Sequence, residues 1–293
     1  MIAQIDSLID LFATFPDEQS CLDHLRQIRW RDGEFCSYCG GNRVYHFSDR
    51  KSFKCGSCRK RFSIKVGTIF EDTKLPLRKW FMAIWLVTNR RKGIASTTLA
   101  KDLKITQKTA WFVLRRLRHA AQTHSFNAPL KSDVETDTML EKHADKRVPG
   151  PRGGANKAVV HGMVQRDGEP PAKRVPGHKP KTLQSKVRSN IAAGSAALTD
   201  EDRAFIDPND AYTHLSVNRS EGEYVCLGGF VHTNEIESVW ALLKRQIVSI
   251  HHWVSRKNLR RYVDEMTWWF NRRDMSAGPR MKDNFGCVEG RLI

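Results

Sequence analysis

Four of the seven cysteines stand in two C-x-x-C pairs, Cys36-Ser37-Tyr38-Cys39 and Cys55-Gly56-Ser57-Cys58, with 15 residues between them. No other feature limits the chain so tightly. Two thiolates at this spacing sit on one tight turn with both sulfurs turned inward. Two such turns complete a closed tetrahedral site of the kind that holds structural zinc. Gly40-Gly41 and Arg59-Lys60 supply the turn residues. Val44–Phe47 and Ser52–Lys54 read as the short strands between. His46 is not needed, because the four-sulfur set is complete without it. The other cysteines, Cys21, Cys226 and Cys287, bring the total to an odd number, which argues against a disulfide framework.

The net charge of +17 is segregated. From Arg26 to Arg118 there are 23 Lys and Arg against 6 Asp and Glu, and the remainder carries 26 of each. Solubility does not require such an arrangement; binding a polyanion through the first part does. No apolar run approaches the length of a membrane helix, and the first ten residues lack a basic segment followed by an apolar one. The expectation is a cytoplasmic protein without a membrane partner, nucleoid-associated when bound to DNA.

The first thirty residues read as helical, with Ile5, Leu8, Ile9 and Phe12 on one face and a second helix opening at Phe15-Pro16-Asp17-Glu18. Leu77–Thr88 reads as a buried helix after Pro76. In Ser96–Leu114, Leu99, Leu103 and Ile105 bracket a short turn. Thr106 then caps a helix whose first turn shows Gln107, Lys108 and Thr109, continued by Arg115, Arg116 and Arg118. This is the pattern of a helix-turn-helix that sets its second helix in a groove of double-stranded DNA.

After a polar stretch near Pro129 the composition changes. Asp133–Asp137 reads as a strand ending in an acid, Ala158–Val164 as a second strand, and Ala172–Val175 as a third. Thr182–Ile191 reads as a helix, and Ala196–Asp200 as another strand ending in an acid. The stretch Val148–Asn156 is Gly-, Pro- and Arg-rich and irregular. In Val231–Arg245 the apolar positions Ile236, Val239, Trp240, Leu242 and Leu243 give a buried helix, with Asn234, Glu237 and Lys244 on one side. Asp137, Asp200 and Glu237 thus arrive from two strand ends and one helix. Hard oxygen ligands so placed suit a pair of Mg2+ or Mn2+ ions, which activate a nucleophile and stabilise a leaving oxygen. Arg256–Arg273 closes the region as an amphipathic helix, and the last twenty residues read as irregular.

These residues resemble the zinc-ribbon DDE transposases of bacterial insertion sequences, the ISXO-type group, over Phe15–Arg273. The resemblance rests on the two cysteine pairs, Gln107-Lys108-Thr109-Ala110-Trp111, Thr199-Asp200-Glu201, and Val231-His232-Thr233-Asn234-x-Ile236-Glu237-x-x-Trp240-x-x-x-Lys244-Arg245. Arg261–Glu265 also resembles the group's closing helix. It implies an α+β multidomain chain: zinc ribbon and helix-turn-helix, then a ribonuclease H-like mixed-sheet catalytic domain. The expected divisions are a helical lead-in at 1–30, the ribbon at 31–70, the helix-turn-helix region at 71–123, a linker at 124–132, the catalytic domain at 133–273 and a tail at 274–293. It implies metal-dependent cleavage and strand transfer of element-end DNA by a homo-oligomer. Asp137 and Asp200 match the first two acids. Glu237 or Asn234 holds the third position, and Lys244 is the basic residue that follows. Where the group reads Glu-Thr-aromatic and then Gly-Gly after the first acid, this chain has Thr138-Met139-Leu140-Glu141, which predicts weak cleavage. Two other readings stand beside it. One is a non-catalytic DNA-binding protein with a relic nuclease-like domain; the other is a nuclease that cleaves without joining.

Overall fold

The computed structural model describes residues 4–122, 130–142, 157–166, 172–175, 180–200, 205 and 212–287. The chain divides into two compact units: Met1–Ala121 with Arg272–Ile293, and Gln122–Asn271.

Unit 1 begins with two short helices whose starts are written in the sequence. Ser7 and Asp10 form a capping box on α1 (Leu8–Thr14), and Asp17 and Ser20 form another on α2 (Glu18–Arg29). The cysteine-bearing segment folds into three antiparallel strands, β1 (Val44–His46), β2 (Ser52–Cys55) and β3 (Arg61–Ser63). Phe53 and Phe62, paired across β2 and β3, are buried and join this sheet to the helical core. The apolar helix α3 (Leu77–Thr88) has Pro76 at its cap position, which offers no side-chain acceptor. The Glu18 carboxylate of α2 takes its place, accepting from Leu77 N at 2.8 Å and Arg78 N at 3.1 Å.

Helices α4 (Ser96–Leu103) and α5 (Gln107–Ala120) are joined by a turn in which Lys104 adopts a left-handed conformation (φ 49°). Thr106 caps α5 as expected, accepting from Thr109 N at 3.2 Å. The tail departs from the expectation of irregular structure. It carries α9 (Ala277–Gly286), which packs on α3 through Met281 and Phe285. Arg280 donates to the Thr88 carbonyl and the Asn89 side chain at the end of α3. Two apolar residues four apart were too short a pattern to read as a helix, and their partner lies nearly two hundred residues away.

Unit 2 is a five-stranded mixed sheet in the order β6-β5-β4-β7-β8. Strands β4 (Asp133–Lys142), β5 (Lys157–Gln165) and β6 (Ala172–Val175) are antiparallel neighbours. Strands β7 (Ala196–Thr199) and β8 (Thr213–Ser216) run parallel to β4. Helix α6 (Pro180–Asn190) packs on one face through Leu183 and Val187, against Val134, Val159 and Met163. Helices α7 (Asn234–Arg245) and α8 (Leu259–Phe270) cover the other face, with Ile236, Trp240, Val263 and Met266 against Met139, Val160 and Val164. A π-helical turn, Gln246–His251, follows α7 directly.

Two expectations change here. The first strand does not end at Asp137. It continues five residues to Lys142, paired all along with β5, so Asp137 lies in mid-strand opposite Gly162. The end of the expected linker belongs to the unit: Leu130 N donates to Asn190 O and Leu130 O accepts from Ala192 N, both at 2.7 Å. The whole Val148–Asn156 stretch, most of the linker, and Glu201 lie outside the described residues.

Candidate metal centre and acidic site

The four cysteines meet. Their sulfurs all lie within 4.8 Å of one another, with Cys36–Cys58 at 3.7 Å and Cys39–Cys55 at 3.5 Å. A tetrahedron with Zn–S bonds of about 2.3 Å has edges of about 3.8 Å, so the cluster fits one zinc ion. Backbone amides already solvate the sulfurs: Tyr38 N donates to Cys36 at 3.4 Å, and Ser57 N and Cys58 N donate to Cys55 at 3.3 and 3.4 Å. The Cys58 amide, with those of Ser57 and the neighbouring thiols, pulls the Cys55 thiol down to about 6. A thiolate forms there near neutral pH, as metal binding requires. His46 is turned away to Glu34, at 2.8 Å.

The helix expected to face DNA divides its side chains. Gln107 and Lys108 are exposed at the start of α5, Thr109 is half-buried, and Arg115 is exposed with its guanidinium 5.6 Å from the Trp111 ring. Arg116 is turned inward. It donates to the carbonyls of Ile69 and Glu71, both at 2.5 Å, and lies 4.2 Å from the Phe112 ring centre.

In unit 2, β4 presents Glu135, Asp137 and Met139 on the face covered by α7, because side chains two apart share a face. The β4–β7 pairing runs from Asp133 opposite Ala196 to Glu135 opposite Leu198. Asp137 and Asp200 each stand two residues beyond that last pair. Helix α7 lies across the same strand. Trp240 Nε1 donates to Asp137 Oδ2 at 3.0 Å, and Asp137 Oδ1 accepts from the Thr138 amide at 2.6 Å. Trp240 can lie this low because residue 162 has no side chain: a Cβ there would stand 2.6 Å from the Trp240 ring. Glu237 is one turn before Trp240 on the same side of the helix and accepts from Thr233 Oγ1 at 3.2 Å. Asn234 and Lys244 are exposed at the first and last turns of α7.

Asp137, Asp200 and Glu237 do not form a tight cluster. Among the described residues, the four cysteines are the only set of three or more ligand-type side chains with all ligand atoms within 4.8 Å. The donor chemistry of Asp137, Asp200 and Glu237 still fits a hard divalent cation, which takes carboxylate oxygens and keeps waters of its own.

Two residues here were not singled out from the sequence. Glu135 is fully buried, and its carboxylate accepts from Glu235 N at 2.9 Å, Ile236 N at 3.1 Å and Arg166 Nε at 3.3 Å. His232 Nδ1 stands 3.0 Å from it, not aligned as a hydrogen bond. Thr233 makes no side-chain cap on α7, so Glu135 is the cap, placed where the helix dipole favours an anion. Trp240 is the other, an indole read as core that also holds Asp137. The alternation Val134-Glu135-Thr136 marked a strand, but not which buried acid would meet a helix a hundred residues on.

Residues 128–271 match the model of the ISXO2-like transposase domain, and residues 16–61 match that of the transposase zinc-ribbon domain. The chain is also 30% identical over 273 residues to a protein of Halobacterium salinarum described as an uncharacterized protein in transposable element ISH50, covering 85% of this chain and 90% of that one. The ribbon match takes in all four cysteines, and the domain match takes in Asp137, Asp200 and Glu237. The chain belongs to the ISXO2-like transposase family.

Proposed function

We propose that the protein cuts the DNA ends of its own insertion sequence and joins them to a target, with unit 2 as a ribonuclease H-like catalytic domain. The observation that supports this is the parallel pairing of β4 with β7, which ends at Glu135 opposite Leu198, two residues before Asp137 and Asp200, with α7 laid over Asp137 through Trp240. The sheet order, three antiparallel strands followed by two parallel to the first, supports the same reading.

Each group has a part. Glu135 pins the start of α7 to β4 and so fixes Glu237 relative to Asp137. Trp240 orients the Asp137 carboxylate and, with the apolar residues around it, keeps water from that side. Asp137, Asp200 and Glu237 would hold divalent metal, which when bound supplies activation of the attacking oxygen and stabilisation of the leaving one. Lys244, seven residues after Glu237, is two turns along the same side of the helix and would contact a phosphate beside the scissile bond. Asn234, exposed at the first turn, is the competitor for the third acid's place.

Unit 1 supplies binding. The α4–α5 pair is read as a helix-turn-helix in which Gln107, Lys108, Thr109 and Arg115 face the DNA. Arg116 stiffens the helix's seat through the Ile69 and Glu71 carbonyls. Binding by this unit is expected to weaken steeply with salt, because phosphate neutralisation releases counterions.

The test is a cleavage and strand-transfer assay with Mg2+ or Mn2+ on duplexes made from the DNA flanking the coding sequence. Asp200→Asn and Glu237→Gln should each lower cleavage at least about a thousandfold while DNA binding persists, because each removes a negative oxygen and keeps the volume. Full activity in Glu237→Gln, with loss in Asn234→Ala, would move the third position to Asn234. DNA binding without cleavage in the wild type would favour a DNA-binding protein with a relic domain.

A further inference from the structure

We infer that the hairpin Cys226–Val231 is an apolar wedge that enters the stack of bases beside the bond being cut; this rests on the function proposed above.

The hairpin is closed by two backbone bonds, Cys226 N to Val231 O at 3.0 Å and Val231 N to Cys226 O at 3.1 Å. Its tip turns through Leu227, Gly228 and Gly229, all at positive φ (50°, 67° and 99°). The glycines adopt this region freely; Leu227 does not, and an apolar side chain is held there nonetheless. Leu227 is 66% exposed and Phe230 42%, and just before them Tyr224 is 65% and Val225 45% exposed. Water is a poor environment for four large apolar side chains in one short segment, so the patch marks a contact.

Its root shows where that contact falls. Arg166 donates to Phe230 O at 2.6 Å and His232 O at 3.3 Å, and its guanidinium lies 5.3 Å from the Phe230 ring centre. The same guanidinium donates to buried Glu135, two residues before Asp137 on the same face of β4. Four residues after Phe230 the chain enters α7, which carries Glu237. The tip is thus tied at its base to the strand and helix that bear the acids.

The occupant is a base step of duplex DNA. Leucine and phenylalanine side chains on a rigid turn are the groups that insert between bases and kink a duplex. A second copy of the chain fits less well, since four side chains fall far short of the ~800 Å² per partner of a stable interface. Glu221 and Glu223 precede the tip, and Glu223 accepts from Asn218 N at 3.3 Å. Acids there disfavour a phosphate contact, so the tip acts by apolar insertion.

The experiment uses the full-length protein and duplexes made from the DNA flanking the coding sequence, with 2-aminopurine at successive steps. Wild type should raise the fluorescence several-fold at one or two steps next to the cleaved bond. The double variant Leu227→Ser, Phe230→Ser should lose that rise and cleave paired DNA about 10- to 100-fold more slowly, the scale of one lost base–side chain stack. A mismatch at that step should restore its cleavage to near the wild-type rate, which no folding or catalytic defect would allow. Val248→Ser, at a residue 63% exposed on the π-helical turn, is the control and should behave as wild type. The wedge is overturned by an unchanged fluorescence pattern in the double variant, by equal cleavage of paired DNA, or by slow cleavage of the mismatched duplex as well. It is overturned too if the double variant changes the oligomeric state and leaves the base steps unaffected. A wild type that cleaves while the variants match it discards the wedge and keeps the transposase reading. A wild type that neither binds nor cleaves the flanking DNA discards both.

Discussion

Each unit holds candidate metal ligands, and the two sets are placed in opposite ways. In unit 1 the four sulfurs come from two turns of three or four residues each, and backbone amides of the same turns solvate them. In unit 2 the candidate acids come from a strand, the residue after another strand, and a helix, and a fully buried carboxylate that was never a candidate ties that first strand to the helix. A local site stands or falls with its own ligands. An assembled site stands or falls with the contacts that register its elements.

The largest effect should come from unit 1. Cys55→Ser removes one of four sulfurs, and structural zinc contributes on the order of 10 kcal/mol to small metal domains. Here Phe53 and Phe62 tie the ribbon into the helical core, which retains part of the fold, so a loss of several kcal/mol is expected from unit 1 alone. Zinc content by elemental analysis and unfolding of wild type and variant would check it. A variant as stable as wild type, with zinc absent from both, would break the contrast.

Glu135→Ala should come next, confined to unit 2. It leaves Arg166 without its carboxylate and two first-turn amides of α7 without their acceptor. Breaking one side of a buried pair costs roughly 3–5 kcal/mol. Glu135→Gln keeps the shape and one acceptor and should cost less. Urea unfolding followed by a probe in unit 2 is the measurement. If the alanine variant loses under about 1 kcal/mol, on the scale of a simple cap, then α7 is held by its apolar face alone.

How much could be read beforehand follows the same division. The cysteine pairs, the Thr106 cap and the apolar stripe of α7 are local patterns, and each is found where its spacing put it. Asp137 was legible as an acid on a strand, but its mid-strand place was not. That strand is prolonged by pairing with β5, which no local signal announces. Glu135, the Asp137 partner in Trp240, and α9 depend on contacts across about a hundred residues or more. Arg116 illustrates the reverse: its sequence neighbours suggested DNA, and the carbonyls of Ile69 and Glu71 hold it instead.

A smaller change probes how closely the assembled site is fitted. Gly162→Ala puts a methyl group where 2.6 Å separates it from the Trp240 ring. The indole must lift, and its bond to Asp137 lengthens or breaks. Overpacking of this kind costs about 1–3 kcal/mol. Cleavage should fall by more than the stability loss explains at a temperature where the variant is folded. Unaltered cleavage would mean that Trp240 is core only and does not orient Asp137.

The last test asks whether unit 1 has a weakness of its own that does not involve the metal. His24 sits among the rings of Phe15, Phe81 and Phe285, at centroid distances of 5.2, 6.1 and 5.6 Å. Its Nε2 is buried and finds no partner among the described residues. Burial pushes the imidazole down from 6.5 to about 4. Between those values the unfolded chain binds a proton that the folded unit does not. The contribution is therefore complete above about pH 6.5, declines as the pH falls through the window, and is gone below about 4. Loss of zinc on acidification acts in the same direction, so wild type alone cannot separate the two. His24→Phe, which keeps an aromatic ring among the other rings and cannot titrate, leaves the thiols as they are. Stability of unit 1 should fall less steeply in the variant between pH 6.5 and 4, and the two curves should run parallel above 7. Parallel curves through the acid window would show that acid lability in unit 1 comes from the sulfurs alone, which would sharpen the contrast with unit 2 by making the metal cluster its single point of failure.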